Sequence, residues 1–537
     1  MDEKMDPREF DSRRRRGEAT VGPGTGGSGE GNGARYSRAV SAIDRLVVDR
    51  RDSGWGVREL AERLGEGRSN VNRTLQALVD AQLAERTVAG TYRTGPRLHV
   101  LADRLLASHP LLVAASPVIK ELSLRWEATA ILAVHDWPNP QAFVAAHHAA
   151  AGPVRYQLDP GTVLPLHAGA AGEAILAEIG SAALLSELPV FTADTLTDPE
   201  AITQRATEDG ARGYVISIGQ HFPLAAGVAA SLRFGGIVAA VSVTRPRYNT
   251  ELTDLESFAP HVVEAARKIA YAATSMAVRN ADRVSHEGPA PRPNATARLE
   301  HLLARLIDRP GGLSTVGREL GRQLNLNRAT ATKLLETTTS LALTTTATER
   351  YVAGPHFLRW ASVLGPVTDL TDMVAPLLRR AAMEIGEAVG FSEYQPATRT
   401  AVMTFVATGP QPLQYGLATG IDMPMHAGAA SKAILAQLPR TILDEIEMPA
   451  ITDNTIVDRD ELSKELLEIR ERGWAYGEGE RIPDAAGIAV PFFIDGMVYG
   501  SITVTVPRYR ITEVNIDAIV EKLSSVAAAV SALLSVR

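Results

Sequence analysis

Apolar residues near the end of the chain recur every three or four positions, at Ile516, Ile519, Leu523, Val526, Val530 and Leu533. That spacing lies on one stripe of a helix and predicts a long amphipathic helix with one buried face. Elsewhere the pattern shortens. IVAAVSVT (237–244) and MVYGSITVTV (497–506) are β-branched runs bounded by turn residues and predict strands. Near the start, VRELAERL (57–64) predicts a short helix with Leu60 and Leu64 inward, broken by Gly65, Glu66 and Gly67. SNVNRTLQALVDAQL restarts a helix with Val71, Leu75, Leu78 and Val79 apolar, and Ser69 is placed to cap it. Ala61, four residues before Gly65, is small enough to let the two helices cross closely. This is a helix-turn-helix pattern. LAERTVAGTYRTG then predicts a hairpin with Arg86 and Arg93 flanking an Ala-Gly turn, a wing beside the helices.

The pattern occurs twice. LPLHAGAAGEAILAEI (164–179) returns as MPMHAGAASKAILAQL (423–438), and RELAERLGEGRSNVNRTL at 58 returns as RELGRQLNLNRATATKLL at 318. TYRTGPRLHVL at 91, ARGYVIS at 211, AAGVAAS at 225 and RPRYNTELT at 245 have counterparts in the same order, offset by about 260 residues. The unit is therefore a whole tandem duplication and not a short-repeat solenoid. RNADRVSHEGPAPRPNA (279–295), rich in proline and without an apolar period, predicts the linker between copies.

Charge sharpens the picture. The chain has 537 residues and a net charge of −7. Residues 36–97 nevertheless carry a surplus of three positive charges and residues 295–359 a surplus of four. Two basic modules thus sit in an acidic chain, the distribution expected of a nucleic-acid reader. The first 35 residues are Gly-rich and of mixed charge, which predicts a disordered tail whose Arg13 to Arg16 run is solvated or touches nucleic acid. The tail lacks the apolar core of a secretory signal, and no run approaches the roughly 18 apolar residues of a membrane span. The absence of cysteine removes disulfides, thiol catalysis and cysteine-based metal sites, and fits a cytoplasmic protein.

The candidate DNA-reading residues follow from the exposed helix faces. In the first module they are Arg68, Ser69, Asn70, Asn72, Arg73 and Gln76, with Arg86 and Arg93 from the wing. In the second they are Asn327, Arg328, Thr330, Thr332 and Lys333, with Gly321 and Asn325 at the crossing and turn. These side chains donate and accept hydrogen bonds suited to base edges and phosphates in a major groove. The second wing, TTTATERY, is less basic, which predicts weaker DNA binding by that copy.

The residues RSNVNRTLQAL, YRTGPRL, LPLHAGAAGEAILA and AAVSVTRPR, in this order and spacing, resemble the IclR family of bacterial transcription regulators. The resemblance covers residues 36–278 and again 296–535. It implies an α+β multidomain fold with two winged helix-turn-helix domains and two GAF-like α/β effector-binding domains in tandem. The expected divisions are a tail (1–35), a first winged helix (36–97), a connector helix (98–111) and a first effector domain (112–278). After the linker (279–295) come a second winged helix (296–357), a connector helix (358–371) and a second effector domain (372–537). Because family members generally dimerise through their DNA-binding domains, the resemblance implies that the two units form an intramolecular pseudo-dimer. The other arrangement it allows is pairing between chains in a homo-oligomer.

The resemblance also implies a small-ligand pocket beside the LPLHA segment. Carried over by position, it consists of Gly169, Ala170, Ala171, Ser217, Gly227, Ser242 and Thr244 in the first copy. The second copy has Gly428, Ala429, Ala430, Gly477, Gly487, Thr503 and Thr505. Many members carry an acidic or cysteine side chain where Ser217 and Gly227 stand; this chain carries neither. Small residues before a helix leave amides that favour an anion, which predicts an organic-acid effector. Leu164 and Leu166, or Met423 and Met425, are expected to add an apolar lining that leaves room for an aromatic acid. Glu173 in the first copy is Lys432 in the second, an inversion that predicts different ligands or only one working pocket; Glu173 has no basic neighbour in sequence.

His167 and His426, at the corner before that helix, read as structural hydrogen-bonding residues, and His147-His148 as a loop pair. The chain lacks GxSxG, GxxxxGK[ST] and HExxH, so no catalytic residues, metal or cofactor are expected. The expected protein is a DNA-operator-binding repressor controlled by an organic acid. The alternative is a sensor or interaction protein in which one or both DNA-binding modules do not function.

Overall fold

The computed structural model describes residues 32–51, 53–149, 158–184, 188–281, 291, 294–366, 370–410, 418–512 and 514–536. Most of the expected tail, with its arginine run, and most of the linker lie outside the described residues. The first half begins with α1 (Asn32–Val48), α2 (Val57–Leu64), α3 (Arg68–Asp80) and a hairpin of β1 (Ala84–Arg86) and β2 (Tyr92–Thr94). Helices α4 (Pro96–Ser108) and α5 (Pro110–Trp126) lead to β3 (Thr129–His135), β4 (Gln141–His148) and β5 (Val163–Pro165). Then follow α6 (Ala170–Ile179), α7 (Pro199–Arg212), β6 (Val215–Ile218), β7 (Ala225–Phe234), β8 (Ile237–Pro246) and α8 (Leu252–Asn280).

The second half repeats this order. It runs α9 (Ala295–Asp308), β9 (Leu313–Ser314), α10 (Gly317–Gln323), α11 (Arg328–Ser340), β10 (Thr344–Ala347) and β11 (Arg350–Ala353). Next come α12 (Pro355–Leu364), α13 (Leu370–Ile385), β12 (Ala388–Gln395), β13 (Thr400–Ala407), β14 (Asp422–Met423), α14 (Ala429–Leu435) and α15 (Arg440–Glu445). It closes with α16 (Arg459–Arg472), β15 (Ala475–Glu478), β16 (Ala485–Ile494), β17 (Met497–Pro507) and α17 (Ile516–Leu534). Helix α1 starts inside the expected tail, and α8 and α9 reach into the expected linker.

Each half holds one six-stranded antiparallel sheet, in the orders β5-β4-β3-β8-β7-β6 and β14-β13-β12-β17-β16-β15. Period-two alternation decides what each face sees. In β8, Ala239, Val241 and Val243 enter the core beneath α5 and α8, while Val238 and Ala240 enter the opposite core beneath α6. Ser242 and Thr244 continue the second set. In α8 the residues Leu255, Phe258, Val262, Ala266, Ile269 and Ala273 are buried at helical spacing, and Glu251 and Asp254 close its start as a capping box. No single described helix is long and apolar enough to cross a membrane. The bent pair α4–α5 passes by length and composition, but its apolar residues are packed in the core.

The two halves share one core. Ala39, Ile43 and Leu46 of α1 are buried with Leu299 and Leu303 of α9 and with Phe357 and Trp360 of α12. Polar contacts cross the same seam. Arg97 Nε donates to Glu300 Oε1 at 2.7 Å, and Asp44 Oδ1 accepts from His356 Nε2 at 2.7 Å and from Trp360 Nε1 at 3.1 Å. Each connector helix reaches the other half's sheet domain. Val100 of α4 joins the core around α17, where Arg97 Nη1 donates to the Leu533 carbonyl at 2.8 Å. Arg359 of α12 donates from Nη1 to Asp136 Oδ2 at 2.7 Å, and both side chains are buried.

Candidate DNA interface and effector cavities

Helix α3 leaves Arg68, Ser69, Asn72, Arg73 and Gln76 exposed and Asn70 half-buried, while Val71, Leu75 and Leu78 face inward. The helix starts at Arg68 with extended Gly67 as its N-cap, and no side chain closes it. Ser69 therefore lies within the first turn and does not cap, contrary to expectation; its hydroxyl remains on the outer face. Gly65 takes a left-handed conformation at the turn. On the wing Arg86 and Arg93 are both exposed, and Arg93 is paired with Glu85 across the hairpin.

The second module has the same elements and a poorer surface. Arg328 and Lys333 are exposed, and Thr330 and Thr332 are half-buried. Asn327 is exposed but caps α11, its side-chain oxygen accepting the Thr330 N–H at 2.9 Å, so that oxygen is committed to the helix. Gln76 has Glu336 as its counterpart, an exposed carboxylate beside Lys333 that repels phosphates. Asn325 is left-handed at the turn, and a Cβ on Gly321 would stand 2.9 Å from the Leu326 carbonyl, so both hold the roles expected of them. The second wing is docked. Gly236 in the β7–β8 hairpin donates its N–H to the Thr346 carbonyl of β10 at 2.9 Å, and Phe234 and Ile237 bury against Ala347, Val352 and Ala353.

The fourteen pocket positions gather into two cavities. In the first half Gly169, Ala170 and Ala171 form one wall, Ser217 and Gly227 the opposite wall, and Ser242 and Thr244 the floor. The space between these walls, its opening to solvent included, is about 450 Å³; the equivalent space in the second half is about 470 Å³. There Gly428, Ala429 and Ala430 face Gly477 and Gly487, over Thr503 and Thr505. Leu164 lines its cavity, whereas Leu166, Met423 and Met425 pack into the adjoining cores and do not line the space.

The expected free amides at the helix starts are occupied from within. Glu173 Oε1 accepts the Gly169 N–H at 2.8 Å and the Ser217 hydroxyl at 2.6 Å, and its Oε2 lies 2.9 Å from Arg205 Nη2. Glu173 thus has a basic partner, brought by α7 from 32 positions away. Burial pushes its carboxyl above the ordinary 4.5 despite Arg205, Ser217 and Gly169. In the second half the Gly428 N–H donates to Glu480 Oε2 at 2.8 Å. The fully buried Lys432 sits between Glu480 and Glu465, its Nζ 2.7 Å from Glu465 Oε1. The offset of 260 residues makes Arg205 and Glu465 equivalent, as it does Gln220 and Glu480. The helix-start charge is inverted between the copies, and so is its partner.

Sequence reasoning missed Arg205, Glu465, Glu480, His221 and Arg481. Aligning the copies supplies the signal: position 173/432 changes sign, and 205/465 changes sign with it. His167 and His426 donate from Nε2 to the carbonyls of Pro189 and Pro449, each at 3.0 Å, pinning the corner to the following loop. His147 and His148 end β4, not a loop. Among the described residues no three His, Asp or Glu side chains gather in a metal-holding group.

A family description of the C-terminal part of the bacterial transcriptional regulator IclR matches residues 103–271 and again 366–532, and the IclR helix-turn-helix domain matches residues 46–87. The chain belongs to the IclR family. Within it, this DNA-binding transcriptional regulator is similar to the HTH-type transcriptional regulator BhcR of Paracoccus denitrificans. The two are 28% identical over 268 residues, covering 48% of this chain and 94% of that protein. The HTH-type transcriptional regulator Rv1719 of Mycobacterium tuberculosis is 32% identical over 221 residues, 40% of this chain and 82% of its own. The transcriptional repressor IclR of Escherichia coli is 26% identical over 202 residues, 36% and 74% respectively. A solved IclR homologue from Microbacterium hydrocarbonoxydans, complexed with 4-hydroxybenzoate, is 26% identical with a TM-score of 0.38, covering 45% of this chain and 99% of that one. IclR-family relatives of this length correspond to one of the two units.

Proposed function

We propose that this IclR-family chain is a repressor that reads an asymmetric operator as an intramolecular pseudo-dimer and is controlled by small organic acids. The observation that carries the reading is the shared core of the two halves, which fixes two helix-turn-helix modules against each other within one chain. Exposed Arg68, Arg73 and Arg86 supply phosphate and base contacts in the first module. Repression is supported by the names of two relatives, the transcriptional repressor IclR of Escherichia coli and the acetate operon repressor of Salmonella typhimurium. Effector control is supported by the two cavities beside α6 and α14.

A second reading of the second module has its own observation. Its wing is bound to the β7–β8 hairpin, and Glu336 stands on its outer helix face. In that reading α11 is a structural partner of the first module and makes few base contacts. The test is a fluorescence-anisotropy titration on DNA flanking the chain's own gene, backed by a genome-wide binding map. Expected are sequence-preferring, salt-sensitive binding, release by an organic acid, and a footprint that shrinks more for Arg68→Ala than for Arg328→Ala. Absence of sequence-preferring binding anywhere in the genome overturns the regulator reading. Equal footprint losses overturn the structural reading of the second module.

A further inference from the structure

The two cavities have the same backbone walls and different chemistry at one corner. His221 and Phe222 occupy it in the first, and Arg481 and Ile482 at the equivalent positions in the second. Resting on the effector reading above, we propose that the cavities take ligands of different charge: the second is the carboxylate site, recognised by Arg481, and the first takes an uncharged ligand.

Arg481 lines the second cavity half-buried, its Cβ 4.0 Å from where a Cβ on Gly428 would stand. Among the described residues it makes no ion pair and no hydrogen bond, and burial is the one influence on its guanidinium, pushing its pKa down. The nearby carboxylates are otherwise engaged. Glu480 holds Lys432 and the Gly428 N–H, and Glu465 holds Lys432. A guanidinium stays protonated at any working pH, and a half-buried one is stabilised by an anion beside it. A ligand carboxylate supplies that charge in the fork geometry a guanidinium favours.

Among the described residues the first cavity is lined by no such cation. Glu173 and Arg205 satisfy each other at its edge. The His221 ring packs against Phe191 and Phe222, at centroid separations of 4.8 and 4.1 Å. Burial, with His167 adding to it, lowers its pKa to about 4, so the ring is neutral at physiological pH. Among the described residues that line it, none carries a positive charge to meet an entering carboxylate. An uncharged ring finds aromatic faces and an imidazole that can donate or accept.

The test uses the full-length chain and isothermal titration with a series of monocarboxylates from pyruvate to benzoate, each paired with its amide. Expected is saturable binding of at least one acid at one site per chain, weakened about ten- to hundredfold in Arg481→Met and partly retained in Arg481→Lys. His221→Arg should raise the acid stoichiometry from one to two. Far-UV circular dichroism and the amides' unchanged affinity for Arg481→Met check that the variant is folded. Acid binding that survives Arg481→Met, or that His221→Ala abolishes instead, overturns the assignment and leaves the effector reading standing. Failure of every acid to bind the wild-type chain overturns both.

Discussion

Lys432 and Glu173 occupy one position in two copies of one fold, yet neutralising them should have very different costs. Lys432 is fully buried, with Glu465 22% and Glu480 9% exposed around it. Lys432→Met leaves those two carboxylates facing each other without a cation. Breaking a buried pair in this way costs about 3–5 kcal/mol. For a domain of this size that lowers the melting transition by roughly 6–20 °C. Glu173→Gln differs because burial already works against the charged form of Glu173. The amide oxygen keeps the Gly169 and Ser217 hydrogen bonds, and Arg205, about one-third exposed, retains Asp209 and solvent. The amide NH2 takes the place of the buried Oε2 facing Arg205, so the cost should be about 1–2 kcal/mol, or roughly 2–8 °C. Scanning calorimetry of both variants measures the contrast. Adding Glu465→Gln to Lys432→Met should recover part of the loss, since what the first change leaves behind is unpaired charge. A Lys432→Met transition within about 3 °C of wild type, or a larger drop for Glu173→Gln, would refute the reasoning.

Three further outcomes are expected. Arg68→Ala should weaken operator binding by about 1–3 kcal/mol and, if the contact is to phosphate, lower the salt slope by about 1, both read by anisotropy at several salt concentrations. Gly235→Ala places a side chain at a left-handed position and 2.2 Å from the Thr346 carbonyl. It should free the second wing, costing about 1–3 kcal/mol and raising protease cleavage near Thr348; an unchanged digestion pattern contradicts the docking. For the Asp44–His356 pair, burial opposes both charges, but the contact wins. His356 ends above its ordinary 6.5 and Asp44 below its ordinary 3.8. The His356 contribution is complete below pH 6.5 and lost as pH rises through its folded pKa; that of Asp44 is present above pH 3.8 and lost as pH falls through its folded pKa. Thermal melts should show the pair's stabilisation fading above pH 6.5, and His356→Gln should flatten that part of the profile.

What was legible in the sequence was local or repeated. Leu60, Val71, Leu75 and Leu78 mark their helix faces by spacing alone. The cavity walls followed from the family resemblance, carried over by position onto small residues at 169–171 that recur at 428–430. The helix-start amides were misread because an amide's availability depends on what folds over it. Glu173 turns back onto Gly169 in one copy, and Glu480 arrives from another loop in the other. The docked wing was invisible for the same reason. Thr346 and Gly236 are 110 residues apart, and neither carries a local signal of the contact.

Fusion of two units into one chain removes a constraint that binds a homodimer, where each substitution appears on both sides of the axis. Here the seam pairs Arg97 with Glu300 on one side and His356 with Asp44 on the other, although Arg97 and His356 follow the same Gly-Pro step. The two sheet domains are asymmetric in the same way. The first one's hairpin grips the second wing through Gly236, while around the equivalent Gly496 nothing stands within 4 Å of a Cβ position. A ligand moves such a contact only by binding its two arrangements unequally. On the proposed effector reading, occupancy of the first cavity would reach the second module from β7 and β8, which carry Gly227, Ser242 and Thr244, through their hairpin and the wing. The second cavity has no such wing contact at Gly496. Its domain meets the first half at α17, whose end holds Arg97 at the start of α4. Two ligands of different charge would then act on the operator-reading helices through different parts, one by a wing and one by a connector.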